Sequence, residues 1–105
     1  MSQYRFVVNT IKWFDKINGN TYFSNRITNI ESGEVICSPF QYGYGDHYRF
    51  IALKDMDKNN WIPKKYSPKP GFNSIYHLYE RENNYPILWN CHNGLKRDCI
   101  ANGIN

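Results

Sequence analysis

The sequence predicts an α+β domain: an antiparallel, meander-connected sheet of three or four strands, one main helix packed on a face, and a short second helix. Three observations predict it. Two aromatic and β-branched runs flank Asn18-Gly19, one apolar stripe of helical period follows in mid-chain, and Gly- and Pro-rich connectors separate the elements. At 105 residues the chain suits a single domain, 1–105, with one core.

Residues 4–14 form the first predicted strand and residues 21–30 the second, both rich in aromatic and β-branched side chains. Asn18-Gly19 accepts the positive φ angles of a type I′ turn. Closing the hairpin there pairs Phe14 with Phe23 and Thr10 with Ile27 on one face. The same register sets Trp13 opposite Ser24, Ile11 opposite Arg26 and Val7 opposite Ile30 on the other. Both faces are partly apolar, so one is expected to be core and the other a partly covered or binding surface. Glu31-Ser32-Gly33-Glu34 then turns into a third strand over residues 35–38. Pro39 is expected to end it, having no N–H to donate. Residues 1–39 are thus read as a three-stranded sheet.

Phe40-Gln41-Tyr42-Gly43-Tyr44-Gly45 is a glycine–aromatic connector, with Tyr42, Tyr44 and Tyr48 packing there and leaving an aromatic edge for a partner. The main helix covers residues 46–57, with Asp46 as N-cap. Its Tyr48, Ile51, Ala52 and Met56 share one face, Leu53 lies at the edge, and Asn59-Asn60 end it. Residues 61–72 hold three prolines, a glycine and three lysines without an acid, which predicts a basic, irregular loop. Within 74–105, Asn73-Ser74 caps a short helix over residues 75–82 with Ile75, Leu78 and Tyr79 inward, and residues 86–90 read as a fourth strand. Residues 91–105 leave two alternatives, a hairpin at Asn93-Gly94 or a helical turn over 95–101.

Thirteen Lys and Arg against nine Asp and Glu give a formal net charge of +4, which suits a nucleic-acid partner and argues against mimicry of DNA. No apolar run reaches the ~20 residues that span a bilayer. Met1-Ser2-Gln3-Tyr4 leads straight into a strand pattern with no leader peptide. Cys37, Cys91 and Cys99, an odd and sparse set, read as free thiols of a cytoplasmic protein.

The leading constellation is the loop Trp61, Lys64, Lys65, Tyr66 and Lys69. Lysines neutralise phosphates and exposed rings stack on unpaired bases. Lys12, Trp13, Lys16 and Arg26 on the first hairpin extend the patch. The alternative is a solvated lysine loop pinned to the core by Trp61 and Tyr66. Cys91-His92 with Cys99 is not read as a metal site, because strand neighbours point to opposite faces and no Cys-x-x-Cys occurs. Pairing of a cysteine with His47, His77 or His92 is too generic to mark a nucleophile. Asp55 and Asp57, like Glu80 and Glu82, diverge on their helices. Gly43-Tyr44-Gly45 lacks the lysine of a phosphate loop, and Asp46 beside it repels anions. No catalytic residue and no cofactor are therefore expected.

The block Lys12-Trp13-Phe14-Asp15-Lys16-x-Asn18-Gly19-Asn20-Thr21-Tyr22, followed by Ser24 and Arg26-Ile27, resembles a family of small proteins that recur in bacteriophage and prophage genomes. So does Pro39-Phe40-Gln41-Tyr42-Gly43-Tyr44-Gly45-x-x-Tyr48-Arg49. The resemblance spans residues 7–53 and thins beyond residue 60, where Lys96 and Arg97 represent a basic C-terminal segment. It implies a viral or mobile-element origin, hence a bacterial host cytoplasm, and carries over no activity, cofactor or catalytic residue. The expected function is a non-enzymatic phage-type binding protein contacting nucleic acid or a nucleic-acid-handling complex. The alternatives are a protein-directed inhibitor of host defence, occluding a nuclease as anti-CRISPR proteins do, and a virion or assembly component.

Overall fold

The computed structural model describes residues 4–105. Residues 1–3, on which the reading of a leaderless start rests, lie outside them.

Asp15 organises the first hairpin. Its Oδ1 accepts the backbone N–H of Ile17 (3.0 Å) and Asn18 (3.3 Å), and its Oδ2 the Asn18 side-chain amide (2.8 Å). Gly19 alone in this loop takes a positive φ, +70°. The loop is therefore four residues, 16–19, and not a two-residue type I′ turn. Strands β1 (Phe6–Asp15) and β2 (Asn20–Asn29) pair with Thr10 opposite Asn25, Trp13 opposite Tyr22 and Phe14 opposite Thr21. This corrects the expected register by two residues. Every partner changes and no side chain changes face, because the strand period is two.

Asn29 repeats the device. Its Oδ1 accepts the N–H groups of Glu31 (3.0 Å) and Ser32 (3.2 Å), and Gly33 closes the loop at φ +80°. Strand β3 (Val35–Tyr42) follows and runs through Pro39, where the sequence predicted its end. β3 is an edge strand whose register with β2 shifts between Phe23 and Asn25, so the missing N–H disturbs little of the ladder.

Helix α1 (His47–Lys58) crosses one face of the sheet and buries Tyr48, Ala52, Leu53, Met56 and Asp57, with Ile51 half-buried. Asp46 holds the preceding position but makes no capping hydrogen bond. Asn60 ends the helix at φ +61°, and the Trp61 N–H bonds the Met56 carbonyl at 2.9 Å, a Schellman turn. Asn84 does the same after α2 (Tyr76–Glu82), with Tyr85 N–H on the Glu80 carbonyl at 2.7 Å. Between the helices, residues 61–72 are less irregular than predicted: one 3₁₀ turn, Lys64–Tyr66, buries Tyr66. α2 inserts Tyr76 and Tyr79, leaving Ile75 exposed at the cap position expected of Asn73-Ser74.

Strand β4 (Ile87–Asn93) is longer than predicted and pairs parallel with β1, Phe6 opposite Ile87 and Lys12 opposite Asn93. The sheet order is β3-β2-β1-β4. The sheet is mixed, and the meander stops at β3, because α1 and α2 carry the chain across to the far edge as a parallel neighbour requires. Beyond Gly94 the helical alternative is realised: α3 (Lys96–Asn102) folds back on the opposite face. The Cys99 carbonyl accepts Ser24 Oγ, and the Asn102 amide reaches the carbonyls of Asn9 (3.1 Å) and Ser24 (3.3 Å). The sheet thus lies between α1 and α2 on one side and α3 on the other.

The main core joins Phe6, Val8, Ile27 and Ile87 of the sheet to Ala52, Leu53, Met56, Ile62, Tyr66, Tyr76 and Tyr79. A buried polar row crosses the sheet beside it. Thr10 Oγ1 donates to Asn25 Oδ1 (2.6 Å), and the Asn25 amide donates to Ser38 Oγ (3.1 Å) and the Tyr48 carbonyl (3.0 Å). Ser38 in turn donates to Asp55 Oδ2 (2.7 Å). A network satisfied along its length fixes which strands pair and in what register.

Candidate functional site

The aromatic residues of the loop expected to bind nucleic acid are built into the core, while its lysines stay at the surface. Trp61 stacks on Phe6 with ring centroids 5.7 Å apart and planes 11° from parallel. Tyr66 is buried, and its hydroxyl donates to Glu82 Oε1 at 2.6 Å. Lys64 Nζ lies 2.9 Å from Asp57 Oδ1 and 2.7 Å from the Asp57 carbonyl. Lys65 covers the Tyr66 ring at 5.1 Å and lies 3.8 Å from Glu82. Lys69 remains exposed beside the Pro70-Gly71 turn. The geometry is that of a lysine loop pinned by its aromatic residues.

Asp57 is the hub of that attachment. Besides Lys64, it accepts Ser67 Oγ (2.6 Å) and Tyr76 Oη (2.7 Å) on Oδ2. Burial pushes its carboxyl up, but the hydrogen bonds from Ser67, Tyr76 and Lys64 outweigh burial and hold it below the usual carboxylate range. The Tyr76 hydroxyl is pushed the other way, by burial and then by the Asp57 carboxylate it bonds.

The hairpin residues divide between two faces. Lys12 points to the α1 side, donating to the Gly45 carbonyl at 2.6 Å and lying 5.1 Å from the Tyr48 ring. Arg26 points to the α3 side and donates to the Ile104 carbonyl at 3.1 Å. Lys16 is exposed at the hairpin tip. Trp13 is half-buried on the α3 side, with Lys96 Nζ 5.3 Å from its ring. Trp61 covers Phe6, seven residues from Trp13 along β1, a span of roughly 23 Å. The loop and the hairpin therefore do not form one continuous patch.

Trp13 does begin a different series. Its ring lies 5.7 Å from Tyr22, Tyr22 stacks on Phe40 at 5.0 Å with planes 7° apart, and Tyr22 meets Tyr42 edge-on at 5.9 Å. Tyr42 then contacts Tyr44 at 6.3 Å. The inner rings pack on one another, while Tyr42 and Tyr44 are 55% and 69% exposed. Sequence reasoning placed an aromatic edge at Tyr42, Tyr44 and Tyr48 but not its continuation through Tyr22 to Trp13, and Tyr48 is instead buried, edge-on to Trp89. Cross-strand partners follow from register, and the expected register was two residues off.

The series ends at the mouth of an open groove of about 1130 Å³ between α1, α2 and the connector. His47, Phe50 and Lys54 line it from α1, and Tyr76, His77 and Glu80 from α2. His47 and Phe50 are stacked at 5.9 Å, and Phe50 lies 5.8 Å from Tyr76. Gly43 is required at its end: a Cβ there would come within 2.6 Å of the Phe23 ring and 2.9 Å of His47. No local pattern marks this groove, because its two walls lie about 26 residues apart and meet only in the fold.

The cysteines are dispersed. Cys91 is exposed on β4, Cys37 is half-buried beside Arg26, and Cys99 is buried with its Sγ donating to the Ile11 carbonyl at 3.1 Å. Burial raises the thiols of Cys37 and Cys99 above their ordinary values. Among the described residues, no three His, Cys, Asp or Glu side chains converge as a metal site would need. No helix among them is long and apolar enough to cross a membrane. No protein-family model, curated protein or solved structure matches the chain.

Proposed function

We propose that this protein is a non-enzymatic binding protein for single-stranded nucleic acid, engaged at the hairpin end of the sheet. The observation that carries the reading is the ring series, with Lys96 against its Trp13 end and exposed Tyr42 and Tyr44 at the other. Among the described residues only Lys64 and Lys65 make ion pairs, so Lys16, Lys54, Lys96 and Arg97 are available to phosphates. Exposed rings favour strands whose bases are unpaired, since a duplex hides its base faces. Two carboxylates oppose an anion at this end: Asp15, which keeps its charge within its hydrogen bonds to Asn18 and Ile17, and Asp46 beside the connector. The resemblance to phage proteins adds an origin in a virus or mobile element to the proposal, with action in the cytoplasm of a bacterial host.

Fluorescence anisotropy with labelled single-stranded DNA, single-stranded RNA and duplex tests it. Single strands are expected to bind at low salt, with affinity falling steeply between about 50 and 200 mM salt. Unchanged anisotropy for all three at low salt and high protein concentration would sink the reading. The same exposed tyrosines also suit a protein partner, such as a host defence nuclease. A host protein captured equally well before and after nuclease treatment favours that second reading.

A further inference from the structure

We infer that the groove between α1 and α2 is a nucleotide site, seating one unpaired base against Phe50 with its phosphate at Lys54. The inference deepens the nucleic-acid reading and takes the identity of the ligand from it. His47, Phe50 and Lys54 occupy positions i, i+3 and i+7 of α1 and so share one helix face. His47 and Phe50 are already stacked, and Tyr76 supplies a second wall at 5.8 Å from Phe50. A volume of about 1130 Å³ has room for a base, sugar and phosphate with solvent beside them.

The charges of the groove are graded along α1. Asp46 and Lys54 are eight residues apart, about 12 Å along the helix, so the side-chain charges, acting against the α1 dipole, set a carboxylate at one end, offset in part by Arg49, and a free cation at the other. The remaining ions are already engaged. Arg49 lies 4.9 Å from the Trp89 ring and donates to the Tyr48 hydroxyl, and Glu80 accepts the Trp89 indole N–H at 2.7 Å. Lys54 makes no ion pair among the described residues. A phosphate therefore belongs at the Lys54 end, with the base over the His47–Phe50 rings. The carboxylate of Asp46, an acceptor only, suits an exocyclic amino group or a sugar hydroxyl. Tyr42 lines the groove and touches Tyr44 and Tyr22, so a strand on the ring series, which lies on the α3 face, reaches the groove by rounding the β3 edge at Tyr42.

Phe50→Ala and Lys54→Ala, with Lys58→Ala as a control outside the groove, test this. Each is titrated with a single-stranded oligonucleotide, an abasic strand of equal length and a free 5′-mononucleotide, the last followed by NMR at the His47 and His77 rings. Thermal melts check folding, and Phe50 is 43% exposed, so its loss leaves most of the core intact. Phe50→Ala is expected to weaken the oligonucleotide about tenfold and leave the abasic strand unchanged. Lys54→Ala is expected to lower the salt dependence by about one phosphate contact, and Lys58→Ala to change neither measure. Full binding of the oligonucleotide by Phe50→Ala and Lys54→Ala overturns the groove while the nucleic-acid reading stands. Failure of the wild type to bind any strand overturns that reading. Mononucleotide shifts that vanish in Phe50→Ala uphold the groove even then, and their absence removes both.

Discussion

At the scale of residues, single polar side chains hold decisions that aromatic mass does not. Asp57 binds three donors from two other segments, fastening the 61–72 loop and α2 to the end of α1. Its folded carboxyl lies below the usual range, so the stability it contributes is present above pH about 4 and is lost as pH falls through the lowered folded value. Asp57→Asn keeps the shape, removes the charge facing Lys64 and leaves donors under-satisfied. It should cost about 2 kcal/mol at neutral pH, with the gap to wild type closing below pH about 4, as read from urea midpoints across pH. Lys64→Ala should lower the urea midpoint by a smaller amount, and Lys69→Ala should leave it unchanged, because Lys69 is exposed and not ion-paired.

At the scale of elements, α3 was the least legible part and is the one that covers the second sheet face. Its seven residues present no broad apolar stripe, and only Cys99 is buried. It docks through polar atoms, Asn102 to Asn9 and Ser24, and through the close approach of Gly103 to β3. A Cβ at Gly103 would lie 2.9 Å from the Ser38 carbonyl and 3.0 Å from Phe40 N, both backbone. Gly103→Ala is therefore expected to destabilise the fold by about 1–3 kcal/mol. It should also speed hydrogen exchange at the amides of α3 ahead of those of β1 and β2. By contrast α1 was readable almost to its ends, because its apolar stripe has a helical period and Asn59-Asn60 can take the left-handed turn that stops it. The hairpins were half legible. Gly19 and Gly33 mark the loops, but the side chains of Asp15 and Asn29 set loop length and so the register.

At the scale of the whole molecule, surface charge matters more than any one contact. The net charge of +4 is carried mostly by side chains outside ion pairs, and an aromatic edge turns one end of the sheet into a surface for planar groups. If that end carries the binding, Tyr44→Ala should weaken single-stranded binding about fivefold or more with no change in stability, since Tyr44 is 69% exposed. Lys96→Ala should lower the salt slope by about one. Loss of stability without loss of binding in these variants would remove the ring edge from the interface.

The sequence by itself determined the α+β class, the two hairpin loops, the extent of α1 and which side chains of the first two strands share a face, because these depend on local periodicity and turn chemistry. It also supplied the candidate cations and rings. Only the tertiary structure decided which of them act together. It turned Trp61 and Tyr66 inward and tied Lys64 to Asp57, since burying two large rings outweighs exposing them to a ligand. It set the fourth strand parallel to β1 and drew α3 across the second face, outcomes set by a crossover and by long-range hydrogen bonds that leave no periodic trace. The groove and the ring series are of the same kind: each is assembled from segments distant in the chain, so neither exists until the chain has folded.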